Sequence, residues 1–318
     1  MIPILTKEQC QERWEKFQHP SQKTYYAFYS SVLGGITTDP AFMTVPLDDH
    51  LVHRGDGVFE ALKCKSGGVF LWGPHKERMM KSAMGLGLKV PENLEEAVSS
   101  AVKASGQKDC IIRIFLSRGP GYFSTNPYDS IGEQLYVVIT KWIQMADKYY
   151  LEGASIGRSL VPPKESWLAQ IKTCNYLPNV MMKKEAVERK LDFTIGFDAN
   201  GNITESGTEN IVILTEKNIL ARPKYKQILK GTTMTRTLEL AQALKADGAI
   251  KDVTEMDLKE EDLLAAKEVM MIGTTLDVLP VTRYEGNKIA NGQVGPVAKA
   301  LLKMLHEDQV SGPLIWKW

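Results

Sequence analysis

Apolar positions along this chain follow two rhythms that replace one another from segment to segment. Short apolar or alternating runs, rich in aromatic and β-branched residues, predict strands at "YYAFYSSVLGG", "GVFEALKC", "GVFLW", "CIIRIFLSRG" and "EQLYVVITKWI". The turn-prone "KSGG" between the second and third of these predicts a hairpin. Helical spacing takes over in "PHKERMMKSAMGLGL", where Met79, Met80 and Met84 are expected to face a core. It recurs in "NLEEAVSSAVKASG", stopped by Gly106, and at the start of the chain. There Thr6 and Gln9 stand at capping-box spacing, with Cys10, Trp14 and Phe17 on one stripe.

The second half alternates strand runs ("DFTIGFD", "NIVIL", "VMMIG") with helical ones ("NVMMKKEAVERK", "TRTLELAQALKA", "GPVAKALLKMLHE"). "DANGN" reads as a hairpin turn, with Asn200-Gly201 supplying positive φ. A polar stretch separates the halves. The pattern therefore predicts an α/β or α+β protein of two domains, residues 1–145 and 155–318, joined by a linker at about 146–154.

Composition narrows the function classes. A length of 318 residues with 43% hydrophobic and 24% charged residues is ordinary globular material. The net charge of +1 supplies no electrostatic surplus for nucleic acid or an anionic membrane, so neither is expected as a partner. No apolar run reaches membrane-span length, and the first residues turn charged too soon for a signal peptide. The four cysteines are scattered without a CxxC pair, which points to reduced thiols and a cytoplasmic location.

Several motifs fall short. His50 and His53, beside Asp48 and Asp49, lack further ligands, so no metal site is expected. "LKGTTMTR" lacks the phosphate-loop pattern, "GLGLK" is not a dinucleotide fingerprint, and no GxSxG elbow exists. What remains is Lys172, set among Ala169, Ile171, Cys174, Tyr176 and Leu177. A lysine in such company is either a tolerated surface residue or an amine wanted for chemistry. Glu205 in "NITESGTEN", Arg78 on the methionine-bearing helix, and Gly231, Thr232 and Thr233 ahead of a helix could complete a site for an aromatic phosphate cofactor. Taken alone, Glu205 reads sooner as a solvated loop carboxylate and Gly231, Thr232 and Thr233 as an ordinary N-cap, and Arg78 is a weak signal by itself.

Six blocks taken in order change that balance. "HRGDGVFEALK", "HKERMMKSA", "IKTCNYLPNVMMKKEA", "ITESGTENIVIL", "ILKGTTMTR" and "IGTTLDVLPV" resemble the class IV, or fold-type IV, aminotransferases that depend on pyridoxal 5'-phosphate. That family includes branched-chain and D-amino-acid aminotransferases and aminodeoxychorismate lyase. The resemblance implies that Lys172 joins the cofactor through its amine and later shuttles the proton. It implies that Arg78 binds the phosphate, that Glu205 pairs with the pyridine nitrogen, and that Gly231, Thr232, Thr233 and Thr274 hold the phosphate. Tyr176, one residue closer to the lysine than in branched-chain enzymes and matching the D-amino-acid group, is implied near the ring oxygen. The backbone N–H of Thr275 is implied at the substrate carboxylate.

The implied fold has a small N-terminal and a larger C-terminal domain with the cofactor between them, usually in a homodimer whose partner reaches the site. The implied reaction is ping-pong transfer of an amino group between a branched-chain or D-amino acid and a 2-oxo acid. The loop "RGPGYFSTNP" lacks the arginine and histidine of the familiar D-amino-acid enzymes and is similar to loops of the lyase relatives, which release pyruvate. Lys63 falls where branched-chain enzymes often carry a basic residue. A C–N lyase is thus the alternative, and a non-catalytic relative that binds a phosphate ligand is the third.

Overall fold

A computed structural model describes the backbone of all 318 residues and every side chain except that of Ser166. Six strands form in the first half: β1 (Tyr25–Ser30), β2 (Gly35–Thr37), β3 (Gly57–Lys65), β4 (Gly68–Phe70), β5 (Cys110–Ser117) and β6 (Gln134–Thr140). All pair antiparallel, in the spatial order β4-β3-β5-β6-β1-β2. The β3–β4 hairpin turns through Ser66 and Gly67, both at positive φ, as a two-residue turn matched to strand twist requires.

Alternation along β3 and β5 sends Val58, Leu62, Ile112 and Ile114 into a core closed by Met79, Ala83 and Val98 from the helices Trp72–Gly85 and Leu94–Ser105. Of the three methionines expected to face inward, only Met79 does. Met80 and Met84 lie four apart on a neighbouring row of the same helix and are 52% and 75% exposed. The capping box forms at Thr6 and Gln9 as expected, yet its helix, Lys7–Lys16, buries no residue.

The second sheet contains β7 (Ala154–Arg158), β8 (Phe193–Phe197), β9 (Ile203–Ser206), β10 (Asn210–Leu214), β11 (Ile219–Pro223), β12 (Asp252–Met256), β13 (Glu268–Gly273) and β14 (Asp277–Tyr284). Their order is β12-β11-β10-β13-β14-β7-β8-β9, with the short β15 (Asn287–Lys288) against β14. One face is packed by the helices Thr232–Ala241 and Pro296–Ser311, whose Met234, Leu238, Leu301 and Leu305 meet Val212, Met270 and Val278. The turn between β8 and β9 differs from expectation in detail. Only Gly201 is at positive φ, because the Asp198 carboxylate accepts the N–H groups of Asn200 and Asn202, each at 2.8 Å, and shapes the turn itself.

Residues 146–154, expected as a linker, contain the helix Asp147–Glu152, and Tyr150 donates from its hydroxyl to the Leu276 carbonyl at 3.0 Å. A last strand, β16 (Ile315–Trp316), returns to the first sheet and pairs with β4, its Trp316 stacked on Trp72 with centroids 4.5 Å apart. Among the described residues no helix is long and apolar enough to cross a membrane.

One detail of the first sheet positions everything that follows. β4 meets β3 only at Cys64 and Lys65, so the Gly57–Phe59 end of β3 lacks a strand on that side. The segment carrying Lys172 takes the vacant edge. Phe59 N–H donates to the Lys172 carbonyl at 3.0 Å, and Cys174 N–H donates to the Gly57 carbonyl at 2.8 Å.

Candidate active site

Lys172 is held by its backbone from two sides, since its own N–H also donates to Ser82 Oγ at 3.1 Å. The main chain is therefore fixed, and the side chain lines a cavity between the two halves. Its ammonium lies 4.6 Å from the centroid of the Phe59 ring. Burial, and then the nearby charge of Arg78, lower its pKa to about 8. At that value a sizeable share of the amine is unprotonated near neutral pH, which a nucleophilic lysine needs.

Across the cavity stands Glu205, on β9 itself rather than in the loop expected. Leu229 N–H and the Asn210 side-chain amide both donate to Oε2, at 3.0 and 3.3 Å. Burial nevertheless prevails and raises its pKa to about 7. A carboxylate so placed favours a cationic partner that can enter the cavity.

A third cluster closes the far end. Arg78 donates from Nε and one terminal nitrogen to both oxygens of Glu60, at 2.7 and 2.6 Å. Its other terminal nitrogen donates to the Lys230 carbonyl at 3.2 Å, tying the first half to the loop ahead of the Thr232–Ala241 helix. Glu60 also meets His75 Nδ1 at 2.7 Å, and His75 Nε2 meets Thr232 Oγ1 at 3.0 Å. Burial pushes the Glu60 carboxyl up, but Arg78 and His75 together outweigh it and hold the pKa down at about 2. Gly231 caps the helix, and a side chain there would collide with the Asn210 amide oxygen. Gly231, Thr232 and Thr233, the cap and first residues of the helix, line the cavity. Thr233 Oγ1 and Thr274 Oγ1 stand 3.4 Å apart. An anion bound here would meet a guanidinium and a positive helix end together.

Eight of the nine residues singled out in the sequence line this one cavity: Lys172, Arg78, Tyr176, Glu205, Gly231, Thr232, Thr233 and Thr274. Tyr176 precedes the Leu177–Glu188 helix and meets Phe59 edge-on at 5.1 Å, and burial raises its pKa. Thr275 is exposed and does not line the cavity, though Thr274 beside it does. Lys63 lies elsewhere, buried against Asp277 at 2.6 Å and over the Trp142 ring. Residues from the "RGPGYFSTNP" loop do not line the cavity within this chain.

Sequence reasoning passed over Glu60, His75, Lys164 and Asn179. Glu60 had a readable signal, a lone carboxylate on the core-facing side of an apolar strand, which requires a cation. His75 and Arg78, three apart on a helix, were that cation's place.

A family model described as amino-transferase class IV matches residues 57–284. The chain belongs to that family. Among proteins of this family, it is 35% identical over 316 residues to the chloroplastic D-amino-acid transaminase of Arabidopsis thaliana, covering 98% of this chain and 83% of that one. It is 28% identical over 272 residues to a putative branched-chain-amino-acid aminotransferase of Methanocaldococcus jannaschii, covering 85% and 92%. The T.th. branched-chain amino acid aminotransferase, solved with pyridoxamine 5'-phosphate, superposes with a TM-score of 0.84 over 92% of this chain and 98% of that one, at 23% identity. The two-sheet architecture is thus the fold of class IV aminotransferases, and the chain is an enzyme of that class.

Proposed function

We propose that this class IV aminotransferase uses pyridoxal 5'-phosphate to move an amino group between an amino acid and a 2-oxo acid in two half-reactions. The substrates proposed are D-amino acids or branched-chain amino acids, the classes named for its relatives. The observation that carries the reading is one cavity holding a lysine of lowered pKa, a carboxylate of raised pKa and a guanidinium at a helix N-terminus. These are the three groups that an aldehyde, a pyridine nitrogen and a phosphate on one small ring would need. The bound cofactor would supply a carbonyl that captures amines and a ring that accepts the electrons of a carbanion.

The protein's own groups divide the remaining work. Lys172 Nζ holds the cofactor, and once displaced by the incoming amine it takes the proton from the substrate's α-carbon and returns it. Glu205, kept ionised, faces the ring nitrogen and keeps it protonated. Arg78, Gly231, Thr232, Thr233 and Thr274 hold the phosphate. Tyr176 lies by the ring oxygen, and the Thr275 N–H takes the substrate carboxylate.

The same proposal includes two structural units, residues 1–145 and 155–318, the second lending its last strand, β16, to the first sheet, and a homodimer. Tyr122, Phe123, Tyr128 and Ile131 are exposed apolar residues clustered on the β5–β6 connection, which suits burial against a second copy. The four free thiols suit the cytoplasm.

The test is the absorbance spectrum of the purified protein with a panel of L- and D-amino acids. A visible cofactor band that is lost with particular donors, and restored by 2-oxo acids, is expected. Protein that binds no added pyridoxal phosphate would overturn the reading. Release of pyruvate from 4-amino-4-deoxychorismate, with no transfer between amino and oxo acids, would make it a lyase.

A further inference from the structure

The chemistry just assigned leaves a second cavity lysine without a task. Lys164 lines the cavity together with Lys172 and Glu205, and it also lines a second, smaller cavity that Glu205 borders as well. Its delivery there is rigid. Pro162 and Pro163 precede it, each fixing its own φ. Pro163 lies 3.9 Å from where a side chain on Gly196 would begin, so the arm rests against β8. The Lys164 ammonium sits over the Tyr176 ring at 5.1 Å.

Lys172 feels four charged groups: Arg78 from the Trp72–Gly85 helix, Glu60 from β3, Glu205 from β9, and Lys164. His75 and Cys174 are the other titratable neighbours that couple to it. Glu205 in turn feels Lys164, Lys172 and Arg78, besides the Leu229 N–H. The charge of Arg78 is already matched by Glu60 through two hydrogen bonds. Among the described residues Lys164 has no ion-pair partner of its own, and Glu205 is the carboxylate that acts on it. On Lys172 the charge of Arg78 weighs more than that of Lys164, whereas on Glu205 Lys164 acts most strongly of the three cations.

Resting on the pyridoxal phosphate reading, we infer that Lys164 is a positioning residue that sets the charge balance between Lys172 and Glu205. Its positive charge opposes protonation of the Lys172 amine and favours the ionised Glu205 carboxylate, so that both groups hold the forms needed near neutral pH. Asn179 supports the same reading, since it lines both cavities with Lys164 and its buried Oδ1, an acceptor, has no partner.

The test measures how fast apoprotein captures added pyridoxal phosphate as a function of pH, followed by the cofactor's visible absorbance. It compares the wild type with Lys164→Met, which removes the charge at similar volume, and Lys164→Arg, which keeps it. In Lys164→Met the pH midpoint of capture should rise by roughly half a unit or more, slowing capture about threefold below the midpoint. In Lys164→Arg it should stay with the wild type. Lys164→Gln provides the neutral variant if the methionine protein melts early. A wild-type midpoint in both neutral variants would overturn the inference while leaving the cofactor reading intact. Failure of the wild type to capture cofactor at any pH would remove both.

Discussion

The two ends of the candidate cavity are built on opposite rules. At the Arg78 end every charged group has its counterpart: the guanidinium meets both oxygens of Glu60, Glu60 meets His75, and His75 meets Thr232. The Glu60 carboxyl is correspondingly held at a pKa of about 2. At the Lys172 end the groups are only part-satisfied. Lys172 and Glu205 have been pushed towards each other, to about 8 and about 7, from ordinary values roughly six units apart. A satisfied, self-paired end suits anchoring, because its charges keep one state. An underpaired end near neutrality suits proton traffic, because small changes in surroundings move its charges.

Substitutions at each end should therefore fail in different ways. Lys172→Ala removes the proton carrier and should lower turnover by roughly 10⁴-fold, the upper range for a positioned acid–base group, while phosphate-end contacts still retain some cofactor. Single-turnover kinetics with added amines would separate those effects. Glu205→Ala should lower kcat by about 10²–10³-fold, the scale of a lost electrostatic stabiliser, and an unchanged kcat would dismiss it as the ring-nitrogen partner. Arg78→Ala should weaken cofactor retention by about 10–100-fold, the value of a charged hydrogen bond or two, and leave kcat largely intact at saturating cofactor. Dialysis followed by absorbance decides that case.

The smallest effect expected is on acid stability. The Glu60 pKa is lower in the folded protein than in the unfolded one, so its contribution is complete above about 4.5 and is lost as pH falls towards about 2. The wild type should thus lose melting temperature across that window more steeply than Glu60→Gln, whose start is already lower. Equal slopes would show that the Glu60 cluster is not holding a charge.

Much of this division was legible in the residues. Lys172, Glu205 and Arg78 stood in recognisable blocks, and β3, β5 and β6 were long, apolar and bounded by turn residues. Other parts were hidden for physical reasons. β12 carries Asp252, Thr254 and Glu255 and is largely unburied, so no apolar run marks it. The short helix Asp147–Glu152 only half-buries Tyr149 and Tyr150, and its sequence reads as a linker. Glu60 and His75 were obscured because their pairing joins a strand to a helix through space, with no spacing rule to expose it. Lys164 follows two prolines and belongs to none of the six blocks, and only the cavity brings it beside Glu205.

The return of β16 to the first sheet has a consequence for how the chain is made. Leu71 N–H donates to the Leu314 carbonyl, and Ile315 and Trp316 pair with Phe70 and Val69, so residues of the β3–β4 hairpin wait for partners from the far end of the sequence. On a ribosome the β4 edge emerges early and stays bare while most of the polypeptide is still being synthesised. Until Trp316 arrives to cover Trp72, that edge is open to other nascent chains, and the first sheet is completed only after translation has passed the second.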